Sequence, residues 1–172
     1  TTADFSPDGQ WLATGSADVT VRFWNMRVPG FPHFTLPGFS DRISGVSFSA
    51  DGTWLVTGSG DTVALWKMDS ISPTSTPTKK LNYPGRGRIT SLALSHRGLL
   101  IAAGKFNSAR IWDVAHPNSA GRPLARLDHN LSWPLIAFSI EDRWLVAIDY
   151  FGGYLWDMSD PNRPSNSPII WG

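Results

Sequence analysis

The chain is 172 residues long, 41% hydrophobic and 17% charged, a balance that fits one globular domain and excludes both a disordered chain and a bundle of membrane-spanning helices. Its net charge is +1, with acidic and basic residues interleaved, so no long-range field recruits nucleic acid or anionic lipid. There is no cysteine, which rules out disulfides, thiolate metal sites and a cysteine nucleophile, and neither an apolar run of about 18 residues nor a signal-peptide pattern occurs. The expected setting is the cytoplasm.

Residues 1–5 read as the second half of a short apolar strand, because the comparable stretches at 43–48 and 89–94 are longer. Phe5 is followed by Ser-Pro-Asp-Gly, a reversal in which Asp bonds nearby backbone and Gly takes positive φ. Trp11-Leu12 opens a second strand that runs to Thr14-Gly-Ser16, a turn around Asp18 follows, and a third strand closes on Trp24. The same phrase runs from Phe48-Ser-Ala-Asp-Gly through Trp54-Leu55 to Trp66, from Leu94-Ser-His-Arg-Gly to Trp112, and from Phe138-Ser-Ile-Glu-Asp through Trp144-Leu145 to Trp156. The closing tryptophans are thus spaced by 42, 46 and 44 residues. A repeat of about 40 to 45 residues with four short strands is the pattern of a β-propeller blade, a unit that cannot bury both faces alone.

The units fall at about 1–37, 38–81, 82–127 and 128–172, with residues 168–172 as the outer strand of the last. Strands buried on both faces should be nearly continuously apolar, as residues 63–66 are, with Leu65 and Trp66 facing opposite sides. Ten of the 13 prolines lie between Pro29 and Pro37 or in the stretches 69–77, 115–123 and 159–168, which excludes helix there and places stiff loops on one face of the assembly. The first end reads as cut within a strand and the last as stopping where the next copy should begin, so a longer parent protein is expected.

Phe5-Ser-Pro-Asp-Gly, then Trp11-Leu-Ala-Thr-Gly-Ser16, Asp18 and Val21-Arg-Phe-Trp24 closely resemble the WD-repeat (WD40) family of β-propellers, and the resemblance covers essentially the whole chain. The diagnostic Trp-Asp pair is intact at Trp112-Asp113 and Trp156-Asp157 and altered at Trp24-Asn25 and Trp66-Lys67. The resemblance implies an all-β fold of four-stranded antiparallel blades, four of them, forming part of a seven- or eight-bladed ring. It implies a scaffold that holds other macromolecules, usually proteins, with no chemistry and no cofactor of its own.

It also implies a hydrogen-bond network of His, Ser or Thr, Asp and Trp in each blade. The first copy offers Thr14, Asp18 and Trp24; the second Thr57, Asp61 and Trp66, with Phe39 at the His position. The third keeps Trp112 but has Gly85, Ala103 and Asn107, and the fourth keeps His129 and Trp156 but has Ala147 and Phe151. Blades three and four are expected to be weaker for it. The Pro-rich stretches after Trp-Asp, such as the one following Trp156, resemble bacterial WD repeats fused to STAND-type signalling ATPases or other effector modules.

The carboxylates Asp8, Asp51 and Glu141 recur at one turn position, which argues for geometry and against paired acid–base work. His33, His96, His116 and His129 lack metal-ligand spacing, no serine sits in a Gly-x-Ser-x-Gly elbow, and no glycine-rich loop opens a helix to cradle phosphate. Seven of the nine tryptophans occupy two repeated strand positions, so packing explains them better than base stacking. Partner contacts are expected at loops entering innermost strands and at turns between second and third strands: Arg42, Arg86, Arg88, Phe106, Trp133 and Tyr150. Two other readings stay open, a propeller hydrolase collecting groups around its central channel, and a half-propeller in which two copies pair their cut edges as a homodimer.

Overall fold

The strands begin where turn chemistry places them. A serine follows the first strand of each repeat, and its hydroxyl oxygen accepts the N–H of the residue five positions on: Trp11 on Ser6 at 2.9 Å, Trp54 on Ser49 at 2.9 Å, Leu100 on Ser95 at 3.0 Å and Trp144 on Ser139 at 3.1 Å. In the first two repeats the same hydroxyl donates to a carboxylate two residues on, Asp8 and Asp51, at 2.6 Å. The fourth residue of each turn has positive φ: Gly9, Gly52 and Gly98, and in the last repeat Asp142 at 59°. Asp tolerates that region better than most side chains. The Asp142 carboxylate also accepts the backbone N–H groups of His96 and Arg97 from the preceding repeat, at 2.5 and 2.9 Å.

A computed structural model describes residues 2–85, 87–98, 100–114, 123–128, 132, 134–150 and 152–164. The first sheet contains β1 (Thr2–Phe5), β2 (Trp11–Gly15), β3 (Val21–Asn25) and β4 (His33–Leu36). The second contains β5 (Ile43–Phe48), β6 (Trp54–Ser59), β7 (Thr62–Lys67) and, after a 3-10 turn at Met68–Ser70, β8 (Lys79–Asn82). The third contains β9 (Ser91–Leu94), β10 (Leu100–Lys105), β11 (Ser108–Asp113) and β12 (Ala125–Asp128). Three described strands form the fourth: β13 (Leu135–Phe138), β14 (Trp144–Asp149) and β15 (Gly152–Asp157). Every pairing is antiparallel between neighbours in sequence. The outer strand expected at 168–172 lies outside the described residues.

The third and fourth innermost strands start later than the sequence suggests. The Ile89 N–H is taken by the Gly60 carbonyl of the preceding sheet at 2.8 Å, as Ile43 is by Ser16 at 3.0 Å, and Pro134 has no N–H to give. The innermost strands β1, β5, β9 and β13 lie against one another in that order, so the four sheets stack face to face along a common inner edge.

One rule governs the three interfaces. The face of each sheet that bears the tryptophan closing its third strand packs on the opposite face of the sheet before it. Trp66, Leu55 and Phe48 close on Ala13, Val21 and Phe23; Trp112 and Ile101 on Val56, Val63 and Leu65; Trp156, Tyr154 and Leu145 on Ala102, Ala109 and Ile111. Each large apolar side chain fully buried this way is worth about 1.5–3 kcal/mol. A glycine on each second strand admits the next innermost strand. A Cβ on Gly58 would lie 2.8 Å from Leu92 Cδ2, and one on Gly104 2.6 Å from Ile136 Cδ1.

The two outward faces have no such cover among the described residues. Phe5 is 56% exposed on the first sheet, on the face shared with Leu12 and Trp24, and Leu135 is 65% exposed on the fourth, opposite Ile148. The first is the face of a closing tryptophan and the second the opposite face of its sheet, the same two kinds that meet inside.

Candidate functional site

Antiparallel order puts the serine turns at one end of the sheets. At the other end lie the loops entering the innermost strands and the turns joining second to third strands. Arg42, Arg88, Phe106 and Tyr150 all occupy this second end. Arg86, Trp133 and His129, assigned to it or to the network from sequence, lie outside the described residues.

Arg42 and Arg88 line one groove of about 420 Å³ along the inner edge, with the hydroxyl residues Ser44, Thr90 and Ser91 and the side chain of Leu135. Asp41 stands beside them. Its Oδ1 accepts the Arg42 N–H at 2.7 Å and lies 3.7 Å from Arg88 Nη1. Phe106 is half exposed and packs beside this loop, its Cβ 3.5 Å from where a Gly87 Cβ would lie, while Tyr150 is fully exposed.

Lys105, which the sequence reading did not single out, holds the loop in place. Its side chain is buried at the end of β10, with Nζ donating to Asp61 Oδ1 at 2.6 Å, to the Tyr83 carbonyl at 2.8 Å and to the Gly85 carbonyl at 3.0 Å. The ammonium also lies 5.2 Å from the centre of the Tyr83 ring. Desolvating a lysine is costly unless its donors are all placed, and three acceptors meet that demand. The signal in the sequence was a lysine where the first two repeats have the small Ser16 and Ser59 at the end of the second strand.

Of the network residues, two tryptophans donate to threonines of the neighbouring strand: Trp24 Nε1 to Thr14 Oγ1 at 2.9 Å and Trp66 Nε1 to Thr57 Oγ1 at 3.0 Å. Phe39 packs its ring 5.7 Å from that of Trp66. Asp18 stays within its own turn, where the hydroxyls of Thr20 and Ser16 and the Arg22 guanidinium hold its carboxyl down at about 2. Asp61 instead reaches across to the third sheet through Lys105. Trp112 meets Tyr83 edge to face at 5.7 Å, and Trp156 stacks on Tyr154 at 5.7 Å.

The turn carboxylates are occupied. The Ser6 hydroxyl keeps Asp8, and the Ser49 hydroxyl keeps Asp51, below the ordinary carboxylate range. Among the described residues no three His, Asp or Glu side chains gather as a metal site, and no helix is long and apolar enough to cross a membrane.

The family model for the WD domain, G-beta repeat, matches residues 1–25 and 30–67, which span β1 to β7. A search of curated proteins gave no match. WD repeats build protein-interaction propellers, and proteins of this kind are typically not enzymes. Two repeats of the chain thus match the WD-repeat family, and the same antiparallel unit is built again beyond them.

Proposed function

We propose that the chain is a protein-interaction or ligand-sensing module, with no chemistry of its own, within a larger bacterial signalling protein. Its blades are taken as 1–37, 38–81, 82–127 and 128–172. The partner docks on the end that carries Arg42, Arg88, Phe106 and Tyr150. The observation that carries this reading is the pairing of exposed large side chains with a rigid support: Phe106 and Tyr150 stand out from the surface, while Lys105 ties the loop before Arg88 to two sheets. Exposed aromatic and arginine side chains on a preorganised frame are what binding hot spots need. Replacing Phe106 or Tyr150 by a photo-reactive phenylalanine analogue in cells should cross-link a partner protein. The same analogue at Ile140, on the opposite end, should not. Cross-links from Ile140 alone would move the site to the other end.

A second reading is favoured by the outward faces. The face with Phe5 and Trp24 and the face with Leu135 and Ile148 are the two kinds of face that meet between the sheets, so on this reading two copies join head to tail. Light scattering across concentration tests it: a discrete dimer that Ile148→Glu returns to monomer supports this reading, and a well-behaved monomer at every concentration removes it.

A further inference from the structure

Resting on the interaction reading above, we infer that the groove between Arg42 and Arg88 takes a short acidic peptide segment that also carries an apolar side chain. Arg42 is exposed and has no ion pair among the described residues, while Arg88 has one long contact with Asp41 at 3.7 Å. A guanidinium presents a planar fork suited to bidentate carboxylate binding, and such charge-assisted pairs are about twice as strong as neutral hydrogen bonds. Neither arginine is saturated.

Asp41 indicates the chemistry directly. It is a carboxylate at the groove, bonded to the Arg42 backbone N–H at 2.7 Å and only loosely set against the Arg88 guanidinium at 3.7 Å. An incoming Asp or Glu side chain offers Arg88 the same group at better geometry, in competition with Asp41. The hydroxyls of Ser44, Thr90 and Ser91 along the groove can bond the remaining polar atoms of an extended chain. Leu135 in the groove lining, 65% exposed, gives an apolar side chain its contact. A nucleic acid fits less well, since its affinity comes from many phosphate contacts and the net charge here is only +1.

The test is fluorescence anisotropy of the 172-residue chain with a labelled peptide of alternating glutamate and leucine, its glutamine–leucine counterpart, and a labelled oligothymidine. The acidic peptide should bind, and the neutral one about tenfold more weakly, a ratio that corresponds to about 1.4 kcal/mol. Arg42→Glu and Arg88→Glu should each cost about tenfold or more, the range set by losing a hydrogen bond to a charged group. Asp41→Asn keeps the acceptor for the Arg42 N–H, removes the competing charge, and should tighten the acidic peptide several-fold. Equal binding of both peptides, each weakened by the arginine changes, would overturn the acidic class while leaving the interaction face standing. Acidic-peptide binding indifferent to both arginine changes would overturn the groove, as would tighter binding of oligothymidine. If no peptide binds, the inference fails; if cross-linking at Phe106 and Tyr150 is also blank, the interaction reading fails with it.

Discussion

The Lys105 ammonium lies 2.6 Å from Asp61 Oδ1, joining the second strand of the third sheet to a turn of the second across 44 residues of sequence. The two ends of this pair differ: the lysine side chain is 2% exposed and the aspartate 57%. Most of the contribution therefore belongs to the buried bond to the Tyr83 carbonyl and the part-buried one to the Gly85 carbonyl. Lys105→Met should lower stability in urea unfolding by about 1–3 kcal/mol, because it orphans those acceptors. Asp61→Asn should cost less than about 1 kcal/mol, as for an exposed ion pair. Equal costs would show that the carboxylate, not the carbonyls, governs the lysine.

Trp66 and Trp24 make the same bond in different surroundings. Thr57 is fully buried and Trp66 is 2% exposed, whereas Trp24 is only half-buried, on the outward face of the first sheet. Thr57→Val leaves the Trp66 N–H without a partner in a dry site and should cost about 1–3 kcal/mol. Thr14→Val should cost clearly less, since water can replace the lost acceptor. Tryptophan fluorescence during denaturation reads both.

Gly104 is a steric gate between the third and fourth sheets. A Cβ there would sit 2.6 Å from Ile136 Cδ1 and 3.0 Å from Pro134 Cγ. Gly104→Val should destabilise by about 1–3 kcal/mol through overpacking. Combining it with Ile136→Ala should recover part of that loss in thermal melts, and no recovery would mean the strain lies elsewhere.

Acid should act through the turns. Asp18 is held at about 2, and Asp8 and Asp51 lie below the ordinary aspartate value of 3.8, so each is more acidic folded than unfolded. Stability from such groups is complete above about pH 4 and is lost as pH falls toward about 2, because the unfolded chain takes up protons first. The thermal midpoint should fall across that window. Asp18→Asn and Asp51→Asn should each flatten the acid limb without altering the midpoint's response above pH 5; an unchanged limb in both would assign it to other carboxylates.

The repeats, the turns and most strand bounds were legible in the sequence because they are local. A serine, an acid and a glycine within five residues satisfy one another's backbone, and near-continuous apolar strands such as residues 63–66 announce burial on both sides. The candidate partner residues could be placed on one end by the same antiparallel logic. What the sequence could not give was which of them meet. Arg42 and Arg88 share a groove, Asp142 caps the backbone of His96 and Arg97, and Asp4 accepts the Phe48 N–H at 2.8 Å, each across about one repeat. Lys105 was missed for the same reason: no partner of its ammonium lies in its own strand. The sequence by itself determined the unit and its spacing, since those rest on short-range hydrogen bonds and strand periodicity. Only the tertiary structure decided the pairings between units, because they depend on how one sheet's tryptophan face seats on the sheet before it, a fit set by packing and not by any local rule.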